Sequence, residues 1–169
     1  MRTIGMRTVV LCLWGALAVA SGCDCGPLRG GPPACSTDGG GTCSCDGGSC
    51  SCNGSSGCSQ QCANGCSLTC NSSQLCEQSC GANCVVDCHN SGDCVSVVGP
   101  GANVTCRNSG ECRVDCSGQC LVTCTSSQGC IALNCAGGNC TMSCPGGMLG
   151  TACTTSSGVS AVVCNHPCE

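Results

Sequence analysis

Cysteine is the residue type in this chain with the capacity for chemistry: it supplies 29 of the 169 residues. A thiolate can attack a carbonyl, hold a soft metal or close a disulfide. Four patterns compete for these roles. Cys88-His89 has the composition of a thiolate–imidazole dyad. Cys164-Asn165-His166-Pro167-Cys168 offers three metal ligands. Cys23-Asp24-Cys25, Cys43-Ser44-Cys45 and Cys50-Ser51-Cys52 have the C-x-C spacing of metallothionein-like thiolate clusters. The repeat further along the chain uses C-x3-C. With about one residue in six a cysteine, a His beside a Cys is expected by chance. No catalytic residue is assigned, and His166 reads as an exposed residue on a terminal staple.

Composition sets the alternatives. There is no Phe, no Tyr and no Lys, and Trp14 is the only Trp. A chain with so little apolar bulk needs disulfides or metal to hold a fold. The nine acidic residues all follow position 23, where they face only Arg29, Arg107 and Arg113. A nucleic-acid binder needs a basic stripe and aromatic stacking residues, so no nucleic-acid partner is expected. The Gly-Gly-x-Gly-x-Asp repeats of calcium-binding β-rolls are absent. The chain is too short for a large α/β barrel enzyme. No enzyme activity and no cofactor are expected.

Residues 1–22 read as a signal peptide. Arg2 and Arg7 precede an apolar run from Thr8 to Ala20, which is short for a bilayer span. The run ends in Ala20-Ser21-Gly22-Cys23. This resembles the lipobox of bacterial lipoproteins, with Ala20 where Leu is commoner. The resemblance covers the leader alone. It implies that Cys23 is lipidated, becomes the new N-terminus and anchors the chain to a cell-envelope membrane, inner or outer. Export places the chain in an oxidising compartment, where disulfides persist.

Residues 23–57 are rich in Gly, Ser and Cys without apolar periodicity and read as a tether. A period of 18 follows over residues 58–144. Cys58, Cys76, Cys94, Cys112 and Cys130 keep that step, as do Cys70, Cys88, Cys106 and Cys124. A fixed short period is the mark of a solenoid. Within the unit, cysteines fall at positions 1, 5, 9 and 13. Position 11 is Leu68, Val86, Val104, Val122 and, after a two-residue insertion, Met142. C-x3-C suits a helix face or a strand face, because both bring i and i+4 to one side. The apolar residue midway between the cysteines, the Gly, Ser, Asn and Thr around it, and the Asn-Ser-Gly turns at residues 90–92 and 108–110 favour strands. The expected fold is a small disulfide-rich all-β domain: a thin β-solenoid of about five 18-residue coils, two strands per coil. Residues 145–169 form a C-terminal cap or tail. Position 3 is polar at Gln60, Gln78 and Ser96, so irregular first strands are expected.

The repeat constrains disulfide pairing. In the coil from Cys94, positions 5 and 9 are Val98 and Ala102, so both cysteines are lost together. This points to bonds between positions 5 and 9: Cys62–Cys66, Cys80–Cys84, Cys116–Cys120 and Cys135–Cys140. Positions 1 and 13 then close each coil: Cys58–Cys70, Cys76–Cys88, Cys94–Cys106, Cys112–Cys124 and Cys130–Cys144. A second scheme bonds position 13 to position 1 of the next coil, as in Cys70–Cys76, with Cys52 and Cys153 as end partners. The paired losses do not distinguish the two. Disulfide Cα atoms lie about 5.5–6 Å apart and packed sheets about 10 Å apart, so the solenoid must be thin. The functional expectation is a membrane-anchored, disulfide-stabilised envelope lipoprotein with a structural or interaction role. The alternative is an extracytoplasmic metallothionein-like protein.

Overall fold

The computed structural model describes residues 22–24, 34–38, 41–45, 48–54, 56–135 and 139–168. The expected signal peptide lies outside these residues except for Gly22. The described chain is a β-solenoid of flattened coils with two walls. One wall is built from β1 (Gly22–Asp24), β3 (Gly41–Cys45), β5 (Cys58–Cys62), β7 (Leu75–Cys80), β9 (Asp93–Val98), β11 (Glu111–Cys116) and β13 (Gly129–Leu133). The other is built from β2 (Ala34–Asp38), β4 (Ser49–Asn53), β6 (Ser67–Asn71), β8 (Val85–His89), β10 (Ala102–Arg107), β12 (Cys120–Thr125) and β14 (Cys140–Ser143). All of these pairings are parallel, and from β4 and β5 to β12 and β13 each residue faces its counterpart 18 positions on.

Alternation within each strand sends positions 1, 3 and 5 inward from one wall and 9, 11 and 13 from the other. Leu68, Val86, Val104 and Val122 form the fully buried position-11 column, with Met142 2% exposed at its end. Position 3 faces it with Gln60, Gln78, Ser96, Val114 and Ala132, all buried. The strands at Gln60 and Gln78 are regular, contrary to the expectation from their polarity, because the amides are satisfied inside the stack. Gln60 Nε2 donates to the Thr69 carbonyl at 3.0 Å, and Gln78 Nε2 donates to Gln60 Oε1 at 2.8 Å. A buried amide without such partners would cost several kcal/mol, whereas a stacked amide ladder transfers the need from coil to coil.

The corners explain the Asn, Ser and Gly content. Position 15 adopts the left-handed conformation in four successive coils, at Ser72, Asn90, Asn108 and Ser126 (φ between 49° and 58°). Asn is the non-glycine residue that best tolerates this region. Two residues after Asn108, Gly110 lies against the coil below: a Cβ there would sit 2.6 Å from the Gly92 carbonyl oxygen.

The stack begins earlier than the period suggests. Residues 23–57, expected as a tether, contain β1 to β4, and these strands pair into the two walls. Their steps are uneven: Gly22 faces Thr42, Ala34 faces Ser49 and Gly41 faces Cys58. At the other end, β15 (Thr151–Thr154) and β16 (Ser160–Cys164) form an antiparallel hairpin, and β16 runs antiparallel along β13. This cap covers an open sheet edge that would otherwise recruit another strand.

Candidate functional site

The cysteines are gathered into two columns along the edges of the flattened coils, where the walls converge. This resolves how a disulfide fits between walls: the bonds occupy the narrow edges, and positions 3 and 11 fill the wider middle. Along one edge, Cys62 is bonded to Cys66, Cys80 to Cys84, Cys116 to Cys120 and Cys135 to Cys140. Each bond staples the turn between positions 5 and 9. The gap in this column is filled by Val98 and Ala102, 1% and 2% exposed. Val98 is in register with Cys80 and Cys116, and Ala102 with Cys120. The turn between them keeps the left-handed third residue of its neighbours, Gly101 matching Asn83 and Gly65. The double variant Val98→Cys, Ala102→Cys is therefore expected to form a further disulfide. It should add about 2 kcal/mol for so short a loop, and unreduced peptide mapping with denaturant titration checks both points.

Along the other edge the bonds join successive coils. Cys52 is bonded to Cys58, Cys70 to Cys76, Cys88 to Cys94, Cys106 to Cys112 and Cys124 to Cys130. The expected coil-closing bonds Cys58–Cys70, Cys76–Cys88, Cys94–Cys106, Cys112–Cys124 and Cys130–Cys144 are not formed. The reason is pitch. The chain climbs one rung over positions 14–18, so position 13 faces position 1 of the following coil directly across that turn, at Cα separations of 6.2–6.6 Å. Its partner within the same coil lies a rung below, about 4.8 Å along the axis.

The end of this column is completed by the cap. Cys144 bonds Cys164, which β16 holds opposite Cys130, in the place of position 1 of a further coil. Cys153, the end partner in the second scheme, instead bonds Cys168. Cys43 and Cys50 are also disulfide-bonded.

The remaining candidates are placed as follows. Cys88 is buried and bonded to Cys94, while His89, the next residue in β8, points to the outer face. The two are therefore not brought together as a dyad. His89 Nδ1 lies 3.6 Å from Asp87 Oδ1, and Arg107 Nη2 donates to Asp87 Oδ2 at 2.8 Å. His166 Nε2 lies 3.3 Å from Glu111 Oε1, and its flanking Cys164 and Cys168 are held in separate disulfides. Cys23 is the middle residue of β1, the terminal strand of its wall, and pairs in register with Cys43. A cavity of about 520 Å³ opens between β14 and the cap, lined by Met142, Leu149, Ala152 and Val162 among others, with no acidic or basic side chain.

Metal-ligating geometry appears where the sequence motifs did not place it. Four groups of three cysteines have all their sulfurs within 4.8 Å of one another: Cys52, Cys58 and Cys70; Cys62, Cys66 and Cys80; Cys76, Cys88 and Cys94; Cys112, Cys124 and Cys130. Each group contains one disulfide, so thiolate coordination there requires reduction of that bond. The C-x3-C repeat could have revealed these groups, since stacking at 18 residues superposes equivalent sulfurs. No known family model, curated protein or solved structure matches this chain.

Proposed function

We propose that the chain is an exported, membrane-anchored lipoprotein of the bacterial cell envelope, with Cys23 as the lipidated residue and a structural or interaction role for the solenoid. The observation that carries this reading is the saturation of the described repeat with disulfides along both edges. Such bonds persist outside the reducing cytosol. The position of Cys23 in the terminal strand suits an anchor: a lipid there holds one end of the stack at the bilayer and lets the coils rise from it. Among the described residues no helix is long and apolar enough to cross a membrane.

The sulfur triples favour one alternative, an extracytoplasmic metallothionein-like protein that binds soft metal through thiolates. Thiol counting separates the two. The exported protein, denatured with and without EDTA, should show almost no reactive thiol under the disulfide reading. Many thiols, accompanied by released zinc or copper, would establish the metal reading instead.

A further inference from the structure

The inter-coil edge contains twelve cysteines in one continuous column: Cys52, Cys58, Cys70, Cys76, Cys88, Cys94, Cys106, Cys112, Cys124, Cys130, Cys144 and Cys164. They are bonded in adjacent pairs. At three of the five junctions between consecutive bonds the sulfurs are also close. Cys58 and Cys70, Cys76 and Cys88, and Cys112 and Cys124 lie within 4.8 Å without being bonded. Cys94 and Cys106 occupy the same register positions in their own coil, stacked on Cys76 and Cys88. The column therefore supports two bonding frames. In the observed frame all twelve sulfurs are paired. In the shifted frame each position-1 cysteine bonds position 13 of its own coil, and the two end cysteines are thiols.

We infer that this column is a thiol relay, which carries a thiol between the two ends of the solenoid by successive disulfide exchange. The entry step consumes an exogenous dithiol: it is oxidised to its disulfide, and the Cys52–Cys58 bond becomes two thiols. The Cys58 thiolate then attacks Cys70 Sγ. The Cys58–Cys70 bond forms, the Cys70–Cys76 bond breaks, and the electron pair leaves on Cys76 Sγ. Cys76 repeats the step on Cys88 and releases Cys94. The exchange continues through Cys112 and Cys130 and releases Cys164. Each step makes one S–S bond and breaks one, so only the entry step transfers electrons. At the far end a disulfide takes the Cys164 thiolate into a mixed disulfide and releases one thiol, while the second reducing equivalent stays as the Cys52 thiol at the entry end. The partners are thus of one chemical class, dithiols and disulfides.

Two features support passage. The repeat makes each exchange nearly the same as the next, so no rung is a sink. Hydroxyls also stand beside the leaving sulfurs: Ser91 Oγ is 3.4 Å from Cys76 Sγ, and Ser109 Oγ is 3.6 Å from Cys94 Sγ. Both serines are buried, and Ser127, at the same place one coil on, has a buried hydroxyl with no hydrogen-bond partner. Ser91 and Ser109 each donate to a backbone carbonyl here, that of His89 and of Arg107; redirected to a buried thiolate, the same hydroxyl proton stabilises the intermediate through a charge-assisted hydrogen bond.

Removing one end cysteine tests the relay. In the full chain carrying Cys52→Ala, Cys58 loses its partner. After incubation at pH 8, acid quench and alkylation in denaturant, the label should be distributed over Cys58, Cys76, Cys94, Cys112, Cys130 and Cys164. New Cys58–Cys70 and Cys76–Cys88 peptides should appear. Label confined to Cys58, with Cys70–Cys76 retained, overturns the proposal. Should that variant not fold, the unaltered protein answers the same question. Dithiothreitol is raised until the first thiols appear among the twelve, and these are then mapped. Thiols at Cys52 and Cys164 together support the relay. Thiols only at the two members of single native bonds overturn it.

Discussion

Complete reduction unfolds this protein. Far-ultraviolet circular dichroism in dithiothreitol at neutral pH, without denaturant, should lose its β signal and show a disordered chain, while the oxidised protein keeps its spectrum. The inward residues explain why. A coil buries one apolar side chain at position 11 and, in the three coils with Gln60, Gln78 and Ser96, an amide or hydroxyl at position 3. Each buried Val or Leu contributes about 1.5–3 kcal/mol, and each ordered residue costs about 1–2 kcal/mol of backbone entropy. An 18-residue coil therefore cannot be held by its own apolar contacts. Each short-loop disulfide removes about 2–3 kcal/mol of unfolded-state entropy. With two bonds in most coils, their sum exceeds the roughly 5–15 kcal/mol net stability of an ordinary domain. Retention of the β spectrum after full reduction, verified by thiol count, would show that backbone ladders and the amide column suffice.

The second large effect concerns the anchor. The unaltered protein should sediment with membranes, and Cys23→Ala should leave it wholly in the soluble fraction. The N-terminal peptide of the unaltered protein should carry a diacylglyceryl mass on Cys23. Two acyl chains give stable attachment where one gives only marginal binding, so the shift should be close to all or none. The same variant should retain the oxidised β spectrum, because none of the bonds that staple the two edges from Cys52 onward involves Cys23. A soluble, unmodified protein would remove the lipoprotein reading and leave the solenoid untouched.

These two outcomes rest on different kinds of information. The 18-residue step, the inward Cys and Val columns and the turn residues at the corners are local and repetitive. A period-two alternation between glycine- and asparagine-rich corners specifies strands wherever the chain is placed, and stacking at a constant step specifies a solenoid. The bond between positions 5 and 9 was legible for a related reason. Its partners lie within one turn of each other, and Val98 and Ala102 mark them as a pair.

Three features were decided only by the tertiary structure. The N-terminal strands β1 to β3 join the stack at uneven steps, because corner lengths vary while strand register is preserved, and an uneven step leaves no period to detect. Gln60 and Gln78 enter the core because Gln78 donates to Gln60 across coils and Gln60 donates to the Thr69 carbonyl, a partnership invisible from the polarity of either alone. The second disulfide column depends on pitch. Cys70 is close to both Cys58 and Cys76, and only the climb of the chain across its five-residue corner sets which sulfur lies level with it. At the end of that column the cap reverses direction, and Cys164 arrives antiparallel to fill the slot of an absent coil. Local pattern is thus sufficient for what each coil is. Long-range geometry decides how one coil is joined to the next, because rungs about 4.8 Å apart bring a second sulfur near Cys70 besides the one it bonds.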